Sequence, residues 1–90
     1  MRLLTMAATP RIEKSNLIGR HIIIIRYQGE KRETRGVIKD ETRYTFTIDI
    51  PGRKRFLKES LVFRMHWRDR EVEVEARVLK GRLMDRTKTN

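Results

Sequence analysis

The sequence predicts a mainly β fold, a small antiparallel β-barrel of about six strands with short N- and C-terminal helical flanks. Between residues 20 and 79, apolar residues recur at every second position in short segments, which is the period of a β-strand. Brief polar stretches separate these segments, so that successive strands can pair antiparallel. A sheet built from so few residues has to curl on itself to enclose a core and hide its edges.

The chain of 90 residues is long enough for one domain with a thin core. We expect residues 1–18 to form an N-terminal flank that is partly disordered or helical, residues 19–80 to form the barrel, and residues 81–90 to form a basic tail or short helix. In the flank, Thr9 followed by Pro10 is typical of the start of a helix, and Gly19 can end it with a positive φ.

The strands can be assigned from the alternation. The predicted strands are residues 20–27, 35–40, 44–50, 53–59, 61–67 and 71–79, and residues 28–34 are predicted to form a polar loop. Pro51-Gly52 is a turn signal, because proline fixes φ at one corner and glycine accepts a positive φ at the next. In the last strand, alternation places Val72, Val74, Ala76 and Val78 on the core side.

The charge is strongly unbalanced. Lys and Arg number 22 against 12 Asp and Glu, which leaves a net charge of +10. Such an excess on a small body favours polyanionic partners, with nucleic acid ahead of an acidic membrane or an acidic protein. Arg suits bidentate contacts to phosphate. The alternative is a surface rich in ion pairs, as in heat-adapted proteins, but that arrangement needs balanced charges.

Residues suited to catalysis are sparse. His21 and His66 lie in different predicted strands without ligand spacing, and Ser15 and Ser60 have no neighbouring base. The alternating acids of EVEVE (71–75) are typical of a solvated strand face. The chain has no cysteine, which fits a reducing compartment. We therefore expect a soluble, cytoplasmic, non-catalytic chain that holds no metal or cofactor.

The polar stretch DETR (40–43) interrupts the alternation between two apolar segments. Asp40 and Thr42 are good turn formers, because their side chains can bond to nearby backbone groups. Composition by itself leaves open whether the protein uses this turn for anything further.

The surrounding segment GVIKDETRYTFTI (36–48) resembles the signature G-x-V-x-D-E-T-x-N-T-x-x-I of the archaeal ribonuclease P protein component 1 family. In the same order as in that family, LIG (17–19) precedes the first strand, RKRFLKESLVFRM (53–65) resembles K-R-x-x-K-x-x-x-V-F-x-F, and GRLMDRTK (81–88) resembles G-R-P-E-D-R-x-K. The departures are Tyr44 in place of the usual Asn, Leu83-Met84 in place of Pro-Glu, and Glu75-Ala76 where the family often has Asp-Gly.

This resemblance implies an Sm-like barrel that serves as a non-catalytic subunit of ribonuclease P, the ribonucleoprotein that removes 5′ leaders from precursor tRNA. In that enzyme the RNA carries the Mg²⁺ ions and the chemistry. The protein is expected to stabilise the substrate-recognition region of the ribonuclease P RNA and to meet precursor tRNA only indirectly. Its expected protein partners are component 4, a zinc-ribbon subunit, and the other protein subunits, with no membrane involved.

We assign candidate site residues on this basis. The expected RNA contacts are Lys39, Arg43, Arg53, Lys54, Arg55, Lys58, Arg64, Arg68, Arg82 and Arg86. Gly36, Asp40 and Thr42 are expected to shape the turn, and Leu17 and Ile18 to contact a protein partner. Two other functions stay open at this stage: a general RNA- or DNA-binding barrel of the ribosome-associated or chromatin type, and a docking module for an acidic protein.

Overall fold

One β-sheet dominates the computed structural model, which describes residues 4–5, 12 and 15–82. Its strands in the described part of the chain are β1 (Leu4–Thr5), β2 (His21–Tyr27), β3 (Glu30–Glu41), β4 (Thr45–Asp49), β5 (Arg53–Leu57), β6 (Leu61–Trp67) and β7 (Arg70–Glu75). Two 3-10 helices follow β5 and β7, at Lys58–Ser60 and Ala76–Leu79. The six longer strands pair antiparallel, and β1 pairs parallel with β7, so the predicted mainly β fold is confirmed.

The sheet curls but does not close into the predicted barrel. The strand order is β1-β7-β6-β2-β3-β4-β5, which leaves β1 and β5 as the two edges. The end of β5 meets β2 through side chains: the Leu57 N–H donates to the Tyr27 hydroxyl at 3.0 Å, and the Tyr27 and Phe56 rings pack edge to face with centroids 4.8 Å apart. The backbone N–H of Leu57, at the end of the edge strand β5, therefore donates to the Tyr27 hydroxyl and not to the backbone of another strand.

Two-residue turns join both hairpins, and the first of them explains why the β2–β3 hairpin is longer than predicted. Gln28 and Gly29 join β2 to β3 with φ of 53° and 82°, and Arg68 and Asp69 join β6 to β7 with φ of 51° and 66°. Left-handed φ values at both central residues match the twist of antiparallel strands. The prediction of a loop at 28–34 is therefore wrong beyond Gly29, because β3 starts at Glu30 and its exposed first half explains the polar composition.

The last strand is shorter than predicted. It ends at Glu75, and residues 76–79 turn into a 3-10 helix. The period changes from two to three residues, so Ala76 and Leu79 face the core whereas Val78 is 44% exposed. The predicted inward position of Val78 is therefore wrong.

The core lies on one face of the curled sheet, and β6 follows its predicted alternation. Its inward residues are all buried: Leu61, Phe63, Met65 and Trp67. The core also includes Ile12 and Leu17, both fully buried. Leu17 therefore does not offer the partner contact predicted for it, and Ile18 is only partly exposed against the same core.

The predicted N-terminal helix falls partly outside the described residues, which include neither Thr9 nor Pro10. Asn16 and Leu17 are described and are not helical, while Gly19 has the predicted positive φ, at 93°. No helix in the described part of the chain is long and apolar enough to cross a membrane.

Gly36 lies inside β3 and not in the turn that it was predicted to shape. A Cβ atom there would lie 2.6 Å from Cγ2 of Ile48 and 2.9 Å from Cγ2 of Ile50. These distances are shorter than van der Waals contact, so glycine at this position allows β3 and the end of β4 to pack closely.

We expect Gly36→Ala to lower the free energy of unfolding by about 1–3 kcal/mol, because the added methyl group overpacks the contact with Ile48. Urea titration measures this change. The exposed neighbour in the same strand provides the control, since Arg35→Ala should change stability by less than about 0.5 kcal/mol. Equal effects of the two substitutions would contradict the packing role of Gly36.

Candidate nucleic-acid interface

The segment DETR (40–43), called the DETR turn below, spans the last two residues of β3 and the start of the turn to β4, and its polar side chains bond to the local backbone. Asp40 Oδ1 accepts the Glu41 N–H at 2.8 Å, and Thr42 Oγ1 accepts the Thr45 N–H at 3.0 Å. The Thr42 N–H in turn donates to the Thr45 carbonyl at 2.9 Å. Asp40 and Thr42 thus bond to the backbone within the turn and hold its conformation.

Glu41 points inward from this turn and joins two cations from distant parts of the chain. Its Oε2 atom accepts hydrogen bonds from Lys58 Nζ at 2.7 Å and from Arg82 Nε at 2.9 Å, and its Oε1 accepts from Arg82 Nη2 at 3.2 Å. Lys58 Nζ also donates to the Leu79 carbonyl at 2.9 Å, and Arg82 Nη1 donates to the Ile12 carbonyl at 3.2 Å. The side chains of Glu41 and Lys58 are completely buried.

We refer to Glu41, Lys58 and Arg82 as the buried ion cluster. Each member comes from a different segment of the resemblance: Glu41 from 36–48, Lys58 from 53–65 and Arg82 from 81–88. The three segments are far apart in sequence and meet at this carboxylate. Some of the residues that carry the resemblance therefore stabilise the fold, because the cluster connects β3, both 3-10 helices and the chain around Ile12.

The buried ion cluster corrects the role predicted for Lys58. A side chain with no exposed surface cannot contact RNA, so that assignment is wrong. Arg82, also predicted to bind RNA, has a side chain only 14% exposed, with its guanidinium bonded to Glu41 and to the Ile12 carbonyl.

Burial also shifts the pKa of Lys58. Desolvation lowers the pKa of Lys58 below its usual value of 10.5, and the positive charge of Arg82 lowers it further. The hydrogen bond and the charge of Glu41 oppose this shift by favouring the ammonium form. The Phe46 ring, with its centroid 5.1 Å from Nζ, covers the ammonium on another side.

The remaining predicted cations on β3, the turn and β5 face solvent. We refer to them together as the β5 surface, which consists of Lys39, Arg43, Arg53, Lys54 and Arg55, all exposed. Across the sheet, Arg53 pairs with Asp49 and Arg55 with Thr47 on the face away from the core, and Lys54 lies opposite Ile48. Lys54 is exposed although Ile48 is buried, because β5 is an edge strand.

The cations of the β5 surface are not neutralised by nearby acids. The ion pairs between described residues involve Lys58, Arg77, Lys80 and Arg82, and none includes a member of the β5 surface. Two strands, β3 and β5, and the turn after β3 therefore present five cations that are available to an external anion.

The other predicted contacts lie apart from this surface. Arg68 is exposed in the β6–β7 turn, with its guanidinium 5.8 Å from the centroid of the Trp67 ring. Arg64 lies in β6, is only partly exposed, and has an Nε atom without a hydrogen-bond partner. Arg86 lies outside the described residues.

Pairing of β2 with β6 brings together residues that appeared unrelated in sequence. Ile22 pairs with Met65, so the adjacent His21 and His66 come to neighbouring positions. Both line an open groove of about 520 Å³ together with Arg35 and Arg64. No local signal in the sequence indicates that the first and fifth predicted strands are neighbours. Among the described residues, no group of three or more His, Asp or Glu side chains could hold a metal ion.

Comparison with known protein families adds one decisive observation. The family model for Ribonuclease P/MRP, subunit p29, matches residues 10–89. The chain belongs to this family. The resemblance to a ribonuclease P protein subunit is thereby confirmed, and this p29-family chain takes part in a ribonucleoprotein enzyme of tRNA processing that contains RNA and other protein subunits. Among individual curated proteins, none matches the chain.

We expect Glu41→Gln to destabilise the fold by about 3–5 kcal/mol, because it leaves two cations in a largely buried site without a counter-charge. Chemical denaturation followed by circular dichroism measures this loss.

The same substitution at Glu59 is the matched control. Glu59 pairs with Lys80, but the two side chains are 63% and 42% exposed. Loss of an exposed pair costs at most about 1 kcal/mol. Similar losses for Glu41→Gln and Glu59→Gln would contradict the structural importance of the buried ion cluster.

The lowered pKa of Lys58 predicts how its contribution to stability depends on pH. Between its folded-state pKa and 10.5, the unfolded lysine binds more protons than the folded one, so stability rises with pH in this window. We expect the stability of the parent, relative to Lys58→Met, to increase from neutral pH toward pH 10.5. Denaturation of both proteins across this range tests the sign, and a relative stability that falls with pH would contradict it.

Proposed function

We propose that this p29-family chain binds structured RNA through the β5 surface. The observation that carries the proposal is the set of five exposed cations on β3, β5 and the β3–β4 turn, three of them consecutive on the edge strand, that form no ion pair with a described residue. Membership of a ribonucleoprotein family supports RNA as the polyanion, and the net charge of +10 supports phosphate as the group recognised. An ion-paired surface of the heat-adapted type does not account for cations that form no ion pair with a described acid.

The physical effect of this binding is the neutralisation of phosphates. Where RNA helices pack together, their backbones repel one another, and cations placed between them reduce this repulsion and release condensed counterions. Three of the five cations are consecutive on an edge strand, where no further strand of the described chain covers them. The three can therefore follow a phosphate backbone that runs along the edge of the sheet.

In the holoenzyme, we propose that the chain supports removal of 5′ leaders from precursor tRNA by stabilising the ribonuclease P RNA. The RNA carries the Mg²⁺ ions and the hydrolysis, as the resemblance implies, and the chain contributes binding and not chemistry. We propose that it meets precursor tRNA through the RNA, in the cytoplasm of an archaeal cell.

Component 4 is the protein partner that we propose, on the basis of the resemblance. Leu17 cannot provide the contact, because it lies in the core. Ile18 is partly exposed and remains a candidate next to the first long strand.

We expect the triple substitution Arg53→Glu, Lys54→Glu and Arg55→Glu to weaken binding to ribonuclease P RNA while the protein stays folded. Each lost phosphate contact lowers the dependence of log K on log salt by about one. Filter binding or fluorescence anisotropy over a salt series measures both affinity and slope. Reconstituted holoenzyme that cuts precursor tRNA at low magnesium provides the functional readout, with the parent, the variant or no added chain.

A matched control separates this surface from net charge. Lys31→Glu, Arg32→Glu and Arg35→Glu make the same change in charge at exposed positions of β3, and should reduce RNA affinity much less. If the β5 variant binds like the parent at every salt concentration, or if both triple variants lose affinity equally, the proposed surface is wrong. Duplex DNA that competes as well as folded RNA would favour a general nucleic-acid-binding protein instead.

A further inference from the structure

Tyr44 presents an aromatic ring to solvent beside the β5 surface. It is 58% exposed, more than Leu57 or Val78, the other large hydrophobic residues that are exposed in the described chain. A ring that stays in water does not contribute the favourable free energy that burial of its apolar surface would give to folding. An exposed ring is therefore available to a ligand with an apolar face.

The backbone that carries this ring is held on both sides. The Tyr44 carbonyl accepts the Lys58 N–H at 2.9 Å, and the Arg43 carbonyl accepts the Gly81 N–H at 2.7 Å. Thr42 and Thr45 close the turn with their mutual hydrogen bonds. Because Lys58 belongs to the buried ion cluster, the backbone that carries the ring is held before any ligand arrives, which lowers the entropic cost of binding.

Two cations lie near Tyr44, one in the chain and one in the register of the neighbouring strand. Arg43 precedes Tyr44 directly, and Leu57 pairs with Thr45, the next residue after Tyr44. Arg55 is two residues before Leu57 on the same face of β5, at a distance of about 6.8 Å along the strand. An aromatic side chain next to cations is the arrangement by which proteins bind unpaired nucleotides, since the base stacks on the ring and the cations hold its phosphates.

We propose that Tyr44 is a stacking site for an unpaired RNA base, with Arg43 and Arg55 holding the phosphates on either side of that base. This inference rests on the proposed RNA-binding function and adds a base contact to a surface otherwise described by phosphate contacts. An RNA base fits better than a protein partner, because Tyr44 and Leu57 form only a small apolar area among exposed cations. Tyr44 is one of the positions at which this chain departs from the signature segment, which usually has Asn there.

The test compares two RNA duplexes that differ by one bulged nucleotide. The first carries a single bulged 2-aminopurine, and the second has the same sequence without the bulge. We expect Tyr44→Ala and Tyr44→Asn to weaken binding to the bulged duplex by about 5- to 100-fold, the range that stacking of one base provides. Binding to the uninterrupted duplex and the salt dependence should stay unchanged, because no charge is lost.

Tyr44→Phe is the matched control, because it keeps the ring and removes only the hydroxyl. It should bind the bulged duplex like the parent. The fluorescence of 2-aminopurine reports the stacking directly: the parent and Tyr44→Phe should quench it, and Tyr44→Asn should not. Thermal unfolding of each variant checks that the fold is retained, and Tyr44→Asn is expected to fold because the signature carries Asn there.

The possible failures are distinguishable. If Tyr44→Ala binds the bulged duplex as tightly as the parent, stacking is wrong, while the proposed RNA-binding function stands. If the parent binds neither duplex nor ribonuclease P RNA, the proposed function fails and the inference fails with it. A variant that keeps its RNA affinity but loses association with the other protein subunits would assign Tyr44 to a protein contact instead.

Discussion

The arrangement of the segments around the sheet depends on the buried ion pairs that the Glu41 carboxylate forms with Lys58 and Arg82. The carboxylate accepts hydrogen bonds from Lys58 and Arg82, which in turn donate to the carbonyls of Leu79 and Ile12. A small domain has a thin core, and an open sheet leaves the segments that flank it without a ladder to join. The charge-assisted hydrogen bonds around Glu41 compensate for this. They connect the end of β3 with both 3-10 helices, with Arg82 after the second helix and with the chain at Ile12 before the first long strand.

The same arrangement separates two uses of positive charge. Lys58 and Arg82 share one carboxylate in the interior, whereas the cations of the β5 surface form no ion pair with any acid in the described part of the chain. The DETR turn belongs to both regions, because Glu41 points inward while Arg43 and Tyr44 point outward. Hydrogen bonds hold the backbone that carries this cation and this ring, and an ordered backbone lowers the entropic cost of binding a ligand there.

The edges of the open sheet are compatible with a protein that does not aggregate. An unpaired edge strand can template the addition of another strand, and natural proteins block this with charged residues and short strands. On β5, three consecutive cations and a length of five residues serve this purpose. The charges that we propose for RNA binding therefore also protect an edge that the curled sheet leaves open.

Local patterns in the sequence determined the strands, much of the turn chemistry and the charge. The alternation of β6 predicted its buried face, Gly19 and Gly52 have positive φ as expected, and the spaced motifs identified the ribonuclease P subunit family. These features depend on neighbouring residues or on composition, which can be read along the chain. The residues assigned to RNA contacts on the β5 surface stay a prediction.

Tertiary structure alone decided which residues of similar type lie inside and which lie outside. Lys58 and Lys54 are both lysines of the same basic segment, yet Lys58 is buried because a 3-10 helix turns it toward Glu41 and Arg82. Gly36 and Leu17 were assigned to surface roles, but contacts with distant residues place them within the packed sheet and core. Whether such a residue is buried depends on which strands pair and on which segments pack against the sheet. Contacts between residues far apart in sequence leave no periodic signal in the chain, so the sequence alone does not reveal them.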